Sequence, residues 1–304
     1  MISFSSEQLL YGQLSDDSSP ANLLLGKTLC NETRRQILSS RPWGFLRKSY
    51  TFSTVASQQA YSFPSDFNWL DSLTVTISTT KYSPIEVTSL EQWNRLNMST
   101  AVKSDIPQYY FLTNQGVELY PVPSSSISNA VTIQYGRKQK DLSLADYVTG
   151  SILTAVNGNQ TITGTGTTFT ASMIGRFLRI TESDTANQGD GEWYEIAGYT
   201  SATVITLDSL YAGTAITAGS APYVIGQVSL FPEAYQMIPI YKALVHYFTS
   251  VKPDQLKAKL YNDMYTNLLS EMESNDAGKS SSQVLNRGIY ENAPPNINNY
   301  PVGV

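Results

Sequence analysis

The sequence predicts an α+β fold: terminal helices packed as a small bundle, a central antiparallel β domain, an inserted small β barrel or sandwich, and an extended C-terminal tail. Three observations carry that expectation. Long runs of apolar residues at helical spacing lie near the two ends, over 20–40 and 233–273. The residues between alternate apolar and polar, with turn signals separating the runs. Beyond 274 the chain turns to Ser, Asn, Gly and Pro, a composition that does not build a core of its own.

Residues 5–14 can form one or two helical turns. Ser19 then offers an N-cap and Pro20 a first helical position. Ala21, Leu25, Leu29, Thr33 and Ile37 follow at spacing four, with Leu24 and Leu38 beside them, and predict a buried stripe. Arg41 precedes Pro42, which ends the helix near Ser40. The Pro42-Trp43-Gly44-Phe45 corner predicts a rigid inter-domain joint in which Trp43 and Phe45 are wedged.

Tyr50 and Phe52 against Tyr61 and Phe63 read as a hairpin. LTVTIST (73–79) reads as a strand, 89–97 as a short helix, and AVTIQYGRKQ as a closing strand. YYFLTNQGVELY reads as a second hairpin about Asn114-Gln115-Gly116. Residues 149–229 are rich in Thr, Ser, Ala and Gly, with turns about every ten residues. Their expected core is Ile162, Phe169, Ile174, Phe177, Leu178, Ile180, Trp193, Ile196, Val204, Ile205 and Leu207. Tyr235, Ile238, Tyr241, Leu244, Val245 and Phe248 predict a helix to about 251, with a kink or a later start at Pro239. Leu256, Leu260, Met264 and Leu268 predict the apolar face of a last helix ending near 273. The expected domains are 1–48, 49–148, 149–229, 230–274 and a docking tail, 275–304.

The 304 residues carry a formal charge of −5, 20 Tyr, one Cys and one His. A sequence-specific DNA binder needs a basic surface to neutralise phosphates, so the charge argues against that class and leaves room for an acidic wall that lets DNA pass without sticking. Cys30 is alone and can form no intrachain disulfide; on a helical face it reads as a small core residue. His246 is alone too, which excludes a histidine-rich metal site and any triad using another His. No signal peptide or membrane-length apolar run is visible, so a soluble protein made in a cytoplasm is expected.

The helix ending in SSRPWGFLRK, then YTFSTVASQQAYSFPSDF, then IPQYYFLTNQGVELYPVP and a C-terminal helix pair resemble the head-to-tail adaptor family of tailed bacteriophages. The tail tubular protein A group belongs to that family. The resemblance covers roughly 18–148 and 230–273, and PQYYFLTNQGVELYPVP is its most specific piece. The 149–229 block resembles a small β module of phage structural proteins and departs from the smaller adaptors. What the resemblance implies is a structural protein without enzymatic activity or cofactor. Its place would be the virion neck, as a homo-oligomeric ring, usually of twelve copies, beneath the portal protein. The helical part would meet the portal and the β domains the tail tube, nozzle or stopper protein, with DNA passing through the channel unbound by sequence.

The tail offers Val284, Leu285, Ile289, Tyr290, Ile297, Tyr300 and Val302 as anchors for the portal or a neighbouring subunit. Arg34, Arg35, Arg47 and Lys48, with Arg41, form the densest basic run; a solvated helix face is the plain reading, portal or DNA contact the functional one. Arg137-Lys138-Gln139-Lys140 is a second basic run. Gly164-Thr165-Gly166 lacks the Lys and the following helix of a phosphate loop. Asp184, Asp190 and Glu192 do not have calcium-loop spacing, and Glu86, Glu91, Asp141 and Asp146 offer no catalytic pair. No metal site is expected. The rival reading is a virion tail or decoration protein whose β module holds carbohydrate on Trp193, Tyr194 and Tyr199.

Overall fold

The computed structural model of the chain describes residues 1–98, 102–182, 189–217 and 219–291, with side chains described as far as Asp276. Two compact units are present: Met1–Ile37 with Asp141–Gly278, and Leu38–Lys140.

The first unit opens with α1, Phe4–Ser15, and α2, Pro20–Ser39. Ser3 Oγ accepts from Ser6 N, and Ser19 Oγ accepts from Asn22 N at 3.3 Å, so both helices begin on serine caps. The stripe expected on α2 is rotated. Asn22, Gly26, Cys30, Asn31, Thr33, Arg34, Ile37 and Leu38 are buried, whereas Ala21 and Leu24 are exposed and Leu25 and Leu29 half-buried. Buried polar groups that satisfy one another displaced leucines from the inner face. Gly26 is required by its neighbour, since a Cβ there would lie 2.4 Å from the Tyr11 ring.

The second unit is a pair of facing sheets. A 3₁₀ turn, Gly44–Leu46, leads into β1, Arg47–Phe52. Then come β2 (Ala60–Ser62), β3 (Phe67–Ile77), β4 (Thr80–Tyr82), β5 (Ile85–Glu86), α3 (Leu90–Asn97), β6 (Tyr109–Leu112), β7 (Gly116–Tyr120) and β8 (Val131–Arg137). The sheet orders are β1-β8-β3-β4 and β2-β7-β6-β5, antiparallel except for β5 with β6. Strand period two fills the space between them. Val131, Ile133 and Tyr135 of β8, with Leu73 and Val75 of β3, share one core with Tyr61, Tyr110, Val117 and Leu119 of the other sheet. Thr132 and Gln134, on the opposite face, bond Thr51 and Ser49 across the strands.

The β6–β7 hairpin stands as read, closed by Thr113 N donating to Gly116 O. A Cβ on Gly116 would meet Tyr61 O at 2.1 Å, so the hairpin can lie against β2 only with glycine there. The expected β1–β2 hairpin does not form. β1 pairs with β8 and β2 with β7, in different sheets. Phe52 and Tyr61 do meet, but from opposite sheets across the core, their rings tilted by 32° with centroids 5.2 Å apart.

Returning to the first unit, β9 (Ser151–Ala155), β10 (Thr161–Thr165), β11 (Phe177–Ile180), β12 (Trp193–Ser201), β13 (Val204–Leu207) and β14 (Tyr223–Gly226) form an antiparallel sheet, ordered β14-β11-β12-β13-β10-β9. Single bridges from Ile152 to Ala221 and Ala155 to Ile216 curl it into a half-barrel. Ile162, Phe169, Leu178, Ile180, Ile196, Ile205 and Leu207 enter its core as expected; Phe177, Trp193 and Val204 are half-buried, and Ile174 is exposed.

A 3₁₀ turn, Glu233–Tyr235, precedes α4, Ile238–His246, which begins next to Pro239 and ends in a π turn over Tyr247–Val251. The last helix, α5, runs Gln255–Glu291, past the expected end near 273. No proline stands between Pro253 and Pro294 to break it. Its stripe is the second correction in register. Ala258 and Met272 are buried, while Leu256, Leu260 and Met264 are exposed. Tyr261 stacks on Tyr241 and Phe248, with centroids 6.1 and 5.8 Å apart, and Tyr11 meets Tyr247 edge-on at 6.4 Å.

Candidate functional site

The helices of the first unit close around a buried ion pair. Glu7 of α1 accepts from Arg34 Nη2, and Arg34 Nη1 donates to Asn31 Oδ1 at 2.9 Å. Arg34 is 1 % exposed. Asn31 in turn holds both backbone groups of Leu142: its Nδ2 donates to the carbonyl at 2.9 Å, and its Oδ1 accepts from the N–H at 3.0 Å. A charge buried this deeply is stabilised only when paired and hydrogen-bonded. Arg34 is therefore a strut inside the unit, not part of a solvated face, and it cannot touch DNA or a portal.

Cys30 lies beside this pair. Burial, with the Glu7 carboxylate adding to it, pushes its thiol well above the ordinary range. A thiol so placed is not a nucleophile. Arg176 is a second buried cation, its Nη2 donating to the carbonyls of Ala145 and Ile225 at 2.8 and 2.7 Å. Burial lowers its pKa and the Asp146 carboxylate opposes that. None of Glu7, Asn31 or Arg176 was legible as a network from the sequence, because the partners lie far apart in the chain.

The remaining basic residues are on or near the surface. Arg35 pairs with Glu32 and Asp141, both at 3.2 Å. Arg47 pairs with Asp71 at 2.9 Å, and Lys48 is half-buried. In the second run, Lys138 and Lys140 are exposed and Arg137 is half-buried; Lys140 Nζ donates to Ser65 Oγ at 3.2 Å. Trp43 is fully buried, with the Arg41 guanidinium 3.9 Å above its ring and the half-buried Phe45 ring 5.4 Å away. Val284, Leu285, Ile289 and Tyr290 fall in the part of α5 whose side chains are outside the described residues. Ile297, Tyr300 and Val302 lie outside the described residues altogether.

Chemistry finds no constellation among the described residues. Tyr110 Oη donates to Glu86, Glu91 accepts from Arg95, Asp141 from Arg35 and Asp146 from Ser3, each acid held by its own partner. Asp190 accepts from Tyr194 Oη and from Glu192 N, and Asp184 lies outside the described residues. No group of three metal-ligating side chains occurs among the described residues. Gly164 sits in β10, and only a three-residue 3₁₀ turn, Ala171–Met173, follows. Of the aromatic trio, Tyr194 is in the half-barrel core, Trp193 is half-buried with its indole N–H on Met1 O, and Tyr199 is exposed. They do not make one platform. No helix among the described residues is long and apolar enough to cross a membrane.

Among the described residues, tyrosine-lined packing fills the interiors and apolar side chains such as Leu9, Leu24 and Leu256 are left outside. No curated protein matches the chain. A family model, described as SU10 adaptor protein, matches residues 12–156, from the end of α1 through α2 and the paired sheets to just beyond β9. The resemblance read in PQYYFLTNQGVELYPVP and its flanks thus stands over that stretch, which is similar to the SU10 adaptor protein, of a phage head-to-tail adaptor family.

Proposed function

We propose that this chain is a structural head-to-tail adaptor that forms a homo-oligomeric ring, of twelve copies, beneath the portal protein at the virion neck. The observation that carries the reading is the adaptor-family match across α2 and the paired sheets. In this reading the ring joins capsid to tail tube, nozzle or stopper protein and encloses the channel through which DNA leaves. The net charge of −5 suits a wall that lets DNA slide.

The helical unit would meet the portal and the sheet domains the tail, with the chain organised in the five parts expected from the sequence. Trp43 and Phe45 would act as the joint between parts, and Val284, Leu285, Ile289, Tyr290, Ile297, Tyr300 and Val302 as anchors on portal or neighbour. Arg35, Arg47 and Lys48 would supply charge contacts at rims, where they tune association more than affinity. Electron microscopy of the chain mixed with the portal protein of its phage tests this. Coaxial rings under the portal are expected; free portal beside unassociated chain at saturating concentration overturns it.

A further inference from the structure

The chain contains a single Asn-Gly bond, Asn157-Gly158. This is the asparagine linkage most prone to rearrange, because glycine has no side chain to keep its backbone nitrogen from the asparagine carboxamide. The nitrogen gives up its proton and bonds to Cγ, ammonia leaves, and a cyclic imide forms. Water opens the imide at either carbonyl, giving aspartate or isoaspartate. In sum water is taken up and ammonia is lost, with no oxidant and no enzyme.

The pair sits in the turn between β9 and β10, whose strands meet at Ala155 and Ile162. Asn159 N donates to Val156 O at 3.0 Å to close the turn, and Gly158 takes a φ of 77°, which favours glycine. Both residues are exposed, so water and hydroxide reach them. What restrains them is hydrogen bonding. Gly158 N, the attacking atom, donates its proton to Tyr211 O at 2.8 Å. The Asn157 carboxamide is held to the same segment, with Nδ2 donating to Ala212 O at 2.8 Å and to Gly213 O at 3.1 Å. That segment is itself anchored. Tyr211 is fully buried in the half-barrel core, its ring 5.4 Å from Tyr194 and its N–H donating to Asn159 O at 2.9 Å. Attack at Cγ therefore requires the turn to come away from residues 211–213.

We propose that Asn157-Gly158 is a latent modification site, silent in the folded half-barrel and converted to aspartate and isoaspartate once the turn is released. The product no longer fits the place it left. Isoaspartate adds a carbon to the main chain inside the turn, which takes Gly158 N and Asn159 N out of register with Tyr211 O and Val156 O. Both products replace the amide donor by a carboxylate, facing the Ala212 and Gly213 carbonyls that need a donor. An opening of the half-barrel is thus written into the chain and impairs reclosure.

The full-length chain tests this, held in mildly alkaline buffer, folded in one sample and unfolded by guanidinium chloride in the other. Mass spectrometry with fragmentation follows the peptide that contains residue 157. Conversion is expected in the unfolded sample, and at least about tenfold slower conversion in the folded one, because the rate follows the population of the open turn. Chain aged unfolded and then returned to buffer should unfold at lower denaturant than fresh chain taken through the same cycle. Asn157→Asp, which loses the donor without lengthening the main chain, should fall between the two.

Equal rates in the two samples would overturn the proposal, since the fold would then give no protection. So would an Asn157 that stays intact in the unfolded chain. Aged chain as stable as fresh chain would overturn the misfit of the product.

Discussion

Removing the Glu7 carboxylate should be among the most damaging single changes in the helical unit. The side chains of Arg34 and Glu7 are 1 and 5 % exposed, so water cannot rescue either when the other is lost. Glu7→Ala strands a buried guanidinium whose Nε already has no partner among the described residues. The cost expected is about 3–5 kcal/mol. Glu7→Gln keeps one acceptor and loses the charge, for about 1.5–3 kcal/mol. Glu7→Leu with Arg34→Met removes both charges and keeps apolar bulk, so it should be markedly less harmful than Glu7→Ala, with a coupling of about 2–3 kcal/mol.

The exposed pair on α3, Arg95 with Glu91, is the internal control, and Glu91→Ala should cost no more than about 0.5 kcal/mol. Urea unfolding followed by far-UV circular dichroism reads these differences, since α1, α2, α4 and α5 contribute most of the helix. Glu7→Ala within about 1 kcal/mol of the parent chain, or strictly additive single and double changes, would refute the claim that the pair acts as one buried unit.

Other expectations follow from the same packing. Gly26→Ala drives a methyl into the Tyr11 ring, which is pinned by its hydroxyl to Asn22 Oδ1 at 3.1 Å; a loss of about 1–3 kcal/mol is expected in the same urea assay. Cys30 should be silent to a thiol reagent in the folded chain and react once urea unfolds it; prompt labelling at neutral pH would show that the α1–α2 interface opens readily. Burial first, with Glu86 adding for Tyr110 and Asp190 for Tyr194 and Tyr211, pushes these three phenols up to about 12. Their folded-state values lie above the unfolded 10.0, so the stability they contribute is whole below pH 10 and is lost as pH rises from there through about 12. Phenolate absorbance should show a late-titrating class of tyrosines, and a single transition at the ordinary value would contradict it.

Legibility in the sequence followed locality. The serine cap before α2, the β6–β7 hairpin, the Ser89-capped α3 and the delayed start of α4 at Pro239 are set by neighbours a few residues away, and all were readable. The pairing of β1 with β8 was not, because Tyr50 and Phe52 alternate equally well against any apolar strand and the choice is made across the core. Hydrophobicity ranking also failed where polar side chains satisfy one another. Arg34 scores as surface on α2, yet Glu7 and Asn31 make the interior its better place. On α5 the ranking placed Leu256, Leu260 and Met264 inward, while the stacking of Tyr261 on Tyr241 and Phe248 turned them out.

The grip of Asn31 on Leu142 has a consequence for how such a protein can change over time. The chain leaves the first unit after Ile37 and re-enters it at Asp141, and those two points are held together from within, by Asn31 on Leu142 and by Arg35 on Asp141 at 3.2 Å. The paired sheets are thus an excursion with adjacent ends, like a drawer with both runners fixed in the cabinet. An excursion of that kind can be lengthened, shortened or exchanged with little entropic cost to the frame that holds it. Recombination at residues 37 and 141 would let one helical frame carry different sheet cassettes.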